Sequence, residues 1–124
     1  PDFVAIPIEA LGAYYLNSDG GPSEGAQEAL YRRFVYDSEA VLSYLAALGG
    51  TPSPHFPDKS AAGQICRAIA YFSAWMEDSA LFDGMLDNLA RQYPDGAYGE
   101  LIDSIAAYRE DALAMAEGTS TQST

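Results

Sequence analysis

Large apolar residues between positions 23 and 48 recur at helical spacing. They follow one another at steps of 4, 7, 4 and 3, which keeps them on one side of an α-helix: Leu30, Phe34, Val41, Leu45 and Leu48. Ser23 is a suitable N-cap residue, and Gly49, with Pro52 behind it, is a strong stop signal. The pattern therefore predicts one helix over residues 23–48.

The flanking segments show the same period. A shorter helix is predicted over residues 7–16, with Pro7 at its start and a turn at 17–22 after it. A proline-rich loop at 51–58 separates Ser60, the next N-cap candidate, from the preceding helix. Beyond Ser60 an apolar stripe changes register near residues 77–79, which favours two helices over one bent helix: Ile65, Ile69, Phe72 and Met76, then Phe82, Met85, Leu86 and Leu89.

These segments predict an all-α fold. The turn at 93–96 leads into a last helix over about 97–117, where Gly118 ends it. We therefore expect a single-domain bundle of four to five helices with short connections over residues 1–117, and a disordered tail over 118–124. Residues 3–6 could form a short strand, but no partner strand is apparent.

Charge is the main functional signal. The chain has 18 acidic and 6 basic residues, a formal net charge of −12. Pairs at i,i+4 neutralise part of it, namely Glu28 with Arg32 and Asp87 with Arg91, and Arg33 is within reach of Asp37. The remaining carboxylates select for a basic protein partner and disfavour direct binding to nucleic acid or to anionic membrane surfaces. No apolar run approaches the length of about 18 residues that a membrane span needs.

Aromatic residues with a polar tip are the second compositional signal. The chain has nine tyrosines and one tryptophan, more than a core of this size uses. Tyr71 and Trp75 lie beside the apolar stripe of their predicted helix, where such rings often anchor protein interfaces. The predicted partner-binding residues are these two together with the carboxylates of the last two helices: Glu77, Asp78, Asp83, Asp87, Asp103, Glu110, Asp111, Tyr71 and Trp75.

No motif indicates catalysis, a cofactor or a metal. His55 is the single histidine and stands between prolines, with no nucleophile or orienting carboxylate near it in sequence. Cys66 is the single cysteine and falls among apolar residues of a predicted helix, which indicates an inert buried thiol. No Glu-x-x-His pair, as in di-iron bundles, is present. The sequence therefore predicts a protein without enzymatic activity, catalytic residues, metal site or cofactor.

Several functions fit these observations. The leading hypothesis is an acidic binding domain that docks on a basic protein and inhibits or neutralises it, in the manner of inhibitor and immunity-type proteins, with nucleic-acid mimicry as a variant. A structural or assembly subunit of a larger complex is the alternative, and homo-oligomers stay open. A further alternative is an apolar-ligand pocket between helices, lined by Phe72, Trp75, Met76, Phe82 and Met85.

Overall fold

The computed structural model describes residues 6–17, 23–54, 58–76 and 79–122, and over these ranges the regular secondary structure is helical. The all-α prediction is therefore confirmed there, while the predicted count of four to five helices is wrong, since six are present. The helices are α1 (Ile8–Asn17), α2 (Ser23–Tyr36), α3 (Ser38–Leu48), α4 (Ala61–Ser73), α5 (Ser79–Gln92) and α6 (Gly96–Gln122). Of the turn predicted over 17–22, Asn17 belongs to α1 and residues 18–22 lie outside the described residues, as does most of the candidate strand at 3–6.

There is one more helix than predicted because the segment 23–48 forms two helices, interrupted at Asp37. Its φ of −148° and ψ of 75° are not helical, and its carboxylate accepts a hydrogen bond of 3.3 Å from the backbone N–H of Ala40. Asp37 is thus the N-cap of α3. Ser38 Oγ donates to the carbonyl oxygen of Phe34 at 2.7 Å, which satisfies one acceptor at the end of α2. The seven-residue step between Phe34 and Val41 is compatible with a break as well as with a continuous helix.

The connection from α3 to α4 is held by backbone hydrogen bonds. Gly49 ends α3 with a φ of +53°, in the left-handed region that favours glycine. The N–H of Ser53 then donates to the carbonyl of Lys59, and the N–H of Ala61 to that of Thr51, both at 2.8 Å. Ser60 caps α4 as predicted, since its Oγ accepts from the N–H of Gly63 at 2.9 Å. Residues 55–57, including His55, lie outside the described residues.

Two predictions about the second half of the chain have different outcomes. Separate helices on either side of residues 77–78 are confirmed, although Glu77 and Asp78 themselves lie outside the described residues. The predicted end of the last helix at residue 117 is wrong, because α6 continues through Gln122. A glycine such as Gly118 weakens a helix interior by about 1 kcal/mol but does not by itself terminate it. Most of the proposed tail is therefore helical, and residues 123–124 lie outside the described residues.

Helix α4 lies at the centre of the molecule. It packs most extensively against α6 and also contacts α1, α2 and α3. Small residues at Ala62, Ala68 and Ala70 are buried on it and let neighbouring helices approach closely. Phe82 joins α5 to this core, with its ring centroid 5.5 Å from that of Tyr31 on α2.

Candidate functional site

The negative charge is unevenly distributed among the described residues. Residues 79–115, which comprise α5, the turn after it and α6 up to Met115, carry seven carboxylates and two arginines, a formal charge of −5. We call this segment the acidic hairpin. The three ranges before it, 6–17, 23–54 and 58–76, carry six carboxylates and four basic residues, a formal charge of −2. All seven hairpin carboxylates belong to exposed residues, whereas Arg109 is only 2% exposed.

The carboxylates of α6 form one exposed stripe. At 3.6 residues per turn the four acidic residues of α6 up to Met115 fall within about 100° of one another around the helix axis. The opposite side of α6 is buried through Ile102, Ile105 and Ala112. The stripe therefore faces outward along its whole length, and it consists of Glu100, Asp103, Glu110 and Asp111.

The two flanks of α5 differ in chemistry. Asp83 and Asp87 are four residues apart and share one flank, which faces α6 because Asp83 contacts Arg109. Leu81 and Met85 share the other flank and line a groove with residues of α2. The acidic flank of α5 thus adjoins α6, while its apolar flank adjoins α2.

Asp83 is not the unpaired carboxylate that the sequence indicated. Arg109 Nε donates to its Oδ1 at 2.7 Å and Arg109 Nη2 to its Oδ2 at 3.3 Å. Arg109 Nη1 also donates to Ser73 Oγ at 2.8 Å, so one buried guanidinium ties together α4, α5 and α6. Hydrogen bonding to Arg109 lowers the pKa of Asp83, and the arginine's charge acts in the same direction. The partners are 26 residues apart, which local charge spacing cannot reveal.

The predicted local pairs have mixed outcomes. Glu28 and Arg32 are confirmed, with Oε2 and Nε 2.7 Å apart. The pairing of Asp87 with Arg91 is wrong, because Arg91 Nη2 donates to Asn88 Oδ1 at 2.6 Å instead. That interaction leaves Asp87 exposed and without an ion pair among the described residues.

The two predicted aromatic anchors, Tyr71 and Trp75, lie outside the acidic hairpin. Trp75 is 83% exposed and Tyr71 is half-buried. Both line a groove of about 430 Å³ with residues of α2, and no α5 or α6 residue is among its described lining. The guanidinium of Arg67 stacks 4.4 Å from the centre of the Tyr71 ring. Among the described residues, the carboxylates of the acidic hairpin and the aromatic pair therefore lie on separate surfaces.

The predicted apolar pocket is divided between two grooves. Phe72 and Trp75 line the groove just described, while Met76, Phe82 and Met85 line a neighbouring one of about 590 Å³. Phe82 is only 2% exposed, so it contributes mainly to the core. The second groove also exposes apolar side chains at its edge: Val35, Tyr36 and Leu81.

A third groove was missed by sequence reasoning. It has a volume of about 420 Å³ and is lined by residues of α1, α4 and α6 and of the turn before α4: Tyr15, Lys59, Ser60, Gly63, Gln64, Arg67 and Tyr108. Burial raises the pKa of Tyr15, while a hydrogen bond with Gln64 and the charge of Arg67 oppose that rise. The lining residues are up to 93 positions apart, so no local pattern could have indicated this groove.

Cys66 is poorly placed to act as a nucleophile. Cys66 is buried, as predicted, and burial raises the pKa of its thiol to about 12, which suppresses the reactive thiolate. Within the described ranges, no group of three or more His, Cys, Asp or Glu side chains is placed to hold a metal ion. No helix in those ranges combines the length and apolarity needed to span a membrane.

Comparisons with known proteins leave the fold and the site as the only guides to function. No family model, no curated protein and no solved structure matches the chain. Function is therefore inferred from the geometry and charge of specific residues.

Proposed function

We propose that this protein is a non-enzymatic binding domain that docks through its acidic hairpin on a basic protein and blocks that partner's working surface. The observation that carries the proposal is the concentration of charge, −5 over residues 79–115 against −2 over residues 6–17, 23–54 and 58–76 together. An evenly spread charge would serve solubility alone, whereas a concentrated one also orients the molecule towards a cationic surface.

The proposed contact residues are those hairpin carboxylates that protrude without an ion pair among the described residues. Six of the seven hairpin carboxylates meet this description: Asp87 on α5, Asp95 in the turn, and the outward stripe of α6, which is Glu100, Asp103, Glu110 and Asp111. Asp83 has a structural role instead, because both of its carboxylate oxygens accept hydrogen bonds from Arg109. In this proposal Asp83 joins α5 to α6 and so holds the contact residues in a fixed arrangement.

Electrostatic steering would govern how such a complex forms. Complementary fields raise the association rate constant well above that of neutral surfaces, and salt screens the effect over a Debye length of about 8–10 Å. We therefore expect association that is fast at low ionic strength and slows steeply as salt is added. Dissociation should depend less on salt, because close contacts determine it.

Two triple variants with the same change of charge test the proposal. The hairpin variant combines Asp87→Asn, Asp103→Asn and Glu110→Gln. The control variant combines Glu9→Gln, Glu39→Gln and Asp58→Asn, which are exposed carboxylates outside the hairpin. Affinity capture from the native host at low salt, followed by association kinetics with the purified basic partner, compares both with the unmodified chain.

The expected result is capture of a basic protein by the unmodified chain and by the control variant, with loss of capture by the hairpin variant. Retention of that partner by the hairpin variant would contradict the proposal, as would an association rate independent of salt. If no basic protein is captured, the proposal is also wrong. Competition by duplex DNA for the same partner would indicate that the hairpin acts as a nucleic-acid mimic.

A second candidate function, an assembly subunit, is favoured by one specific observation. Val35, Tyr36 and Leu81 are 47%, 77% and 72% exposed and border the groove between α2 and α5. Exposed apolar side chains grouped in this way are typical of association surfaces. Leu81→Glu should disrupt such an assembly, and sedimentation in high salt distinguishes it, because apolar association persists there while the acidic docking weakens.

A further inference from the structure

The groove between α1, α4 and α6 is lined by basic side chains, although the chain as a whole is strongly acidic. It is lined by the chain's single lysine, Lys59, and by Arg67, so two of the six basic residues meet there. No carboxylate is among its described lining residues, although acidic residues outnumber basic ones three to one in the chain. We propose that this groove binds the phosphate group of a small phosphomonoester.

Hydrogen bonds within the protein leave donors available to such an anion. Ser60 Oγ accepts from the N–H of Gly63 at 2.9 Å, which leaves its own hydroxyl hydrogen to donate. Gln64 Oε1 accepts from Ser53 Oγ, so the amide nitrogen of Gln64 is the atom that donates to the Tyr15 oxygen. The hydroxyl hydrogen of Tyr15 is then likewise available to a ligand in the groove.

The number and kind of donors favour phosphate over carboxylate. The guanidinium of Arg67 and hydroxyls from three different segments can bind the several peripheral oxygens of a tetrahedral anion, and Lys59 adds positive charge to the lining. A planar carboxylate has only two oxygens and would engage fewer of these hydrogen-bond donors. The volume of about 420 Å³ exceeds that of a phosphate group, which leaves room for an organic part between the rings of Tyr15 and Tyr108.

This inference does not rest on the proposed docking function. Apart from Tyr108, the groove residues lie outside the acidic hairpin. A ligand could therefore occupy the groove whether or not the hairpin engages a basic protein, and failure of either proposal leaves the other standing.

The test is a titration of isotope-labelled protein followed by NMR. Inorganic phosphate, phenyl phosphate and benzoate are added separately at constant ionic strength and pH 7.5. We expect saturable shifts for both phosphates, confined to α1, residues 59–67 and the part of α6 around Tyr108. Phenyl phosphate should bind more tightly than inorganic phosphate because it also contacts the tyrosine rings, and benzoate should bind more weakly than either.

Two matched arginine variants distinguish binding at a defined site from nonspecific attraction between the anion and positive charge. Arg67→Gln should weaken binding of phenyl phosphate by about tenfold or more, since a charge-assisted contact is removed. Arg91→Gln makes the same change of charge on α5, where Arg91 contacts Asn88, and should leave the affinity unchanged. Tyr15→Phe should weaken binding while retaining the ring.

Three results would overturn the inference. One is the absence of saturable shifts with either phosphate. Another is equal weakening by Arg67→Gln and Arg91→Gln, which would show attraction to charge without a defined site. The third is binding of benzoate as tight as that of phenyl phosphate, which would show that the groove does not select a tetrahedral anion.

Discussion

Arg109 and Asp83 form a two-pronged ion pair between α6 and α5, in which the guanidinium is buried and the carboxylate is reached by solvent. The side-chain exposures are 3% for the arginine and 58% for the aspartate. The centre of the guanidinium also lies 5.3 Å from the centre of the Phe82 ring. The pair thus joins the two helices of the acidic hairpin, while the bond from Arg109 to Ser73 connects the hairpin to α4. Removal of the exposed carboxylate should cost stability, because the buried charge then has fewer partners.

Asp83→Asn should destabilise the protein. The substitution removes the negative charge opposite a buried arginine, and we expect the free energy of unfolding to fall by about 1–3 kcal/mol. Urea unfolding followed by circular dichroism measures this. Asp87→Asn, one turn along the same helix, is the control and should change stability by less than about 0.5 kcal/mol. Equal effects of the two substitutions would contradict a special part for Asp83.

The contribution of this pair should depend on pH in the acidic range. The pKa of Asp83 is lowered in the folded state, so its stabilisation is present above the unfolded-state pKa of about 3.9 and is lost as pH falls through the lower folded-state value. The difference in unfolding free energy between the unmodified chain and Asp83→Asn should be constant from pH 7 to about pH 5 and shrink below about pH 4. A difference that is the same at pH 3 and pH 7 would refute this assignment.

Gly12 should not tolerate a larger residue. A Cβ atom at this position on α1 would overlap the hydroxyl oxygen of Tyr44 on α3 and two carbons of its ring. Gly12→Ala therefore forces the two helices or the tyrosine ring to move, and we expect a loss of about 1–3 kcal/mol in thermal or urea unfolding. The double variant Gly12→Ala with Tyr44→Ala should lose less than the sum of the two single variants. Additive losses would show that the two positions do not interact.

Replacement of Gly84 by alanine should stabilise the protein, in contrast to the same change at Gly12. Gly84 lies exposed within α5, and a Cβ there meets no atom within 4 Å. Gly84→Ala should stabilise the protein by about 0.5–1 kcal/mol, since alanine favours the helix and restricts the unfolded chain. An increase in the melting temperature is the expected observation, and a decrease would show that α5 is not a regular helix at this point.

Cys66 should be unreactive in the native protein. With 0% exposure and a pKa of about 12, its thiol presents almost no thiolate at pH 8. A chromogenic disulfide reagent should label it only as fast as the protein unfolds, whereas one thiol per chain should react at once in denaturant. Rapid labelling under native conditions would contradict the buried position.

Features that depend on neighbouring residues could be predicted from the sequence. The cap at Ser60, the stop at Gly49 and the pair of Glu28 with Arg32 each involve atoms no more than four residues apart. The break at Asp37 was also a local signal, since Asp is a favoured N-cap residue. It was missed because the hydrophobic period continued across it.

Features that depend on distant contacts could not be predicted. Nothing near Arg109 in the sequence indicates that it is buried, because its partners Ser73 and Asp83 lie on other helices. The separation of the carboxylates from Tyr71 and Trp75 likewise depends on how α4 and α6 pack.

The sequence by itself determined that the chain is helical and acidic, and it located most helix ends, because periodicity, capping and composition are properties of short segments. Only the tertiary structure decided which carboxylates stay exposed, which one is bound by Arg109, and that Lys59 and Arg67 meet in one groove. The physical reason is that burial and pairing between helices depend on packing, and many sequences with the same local pattern could pack differently.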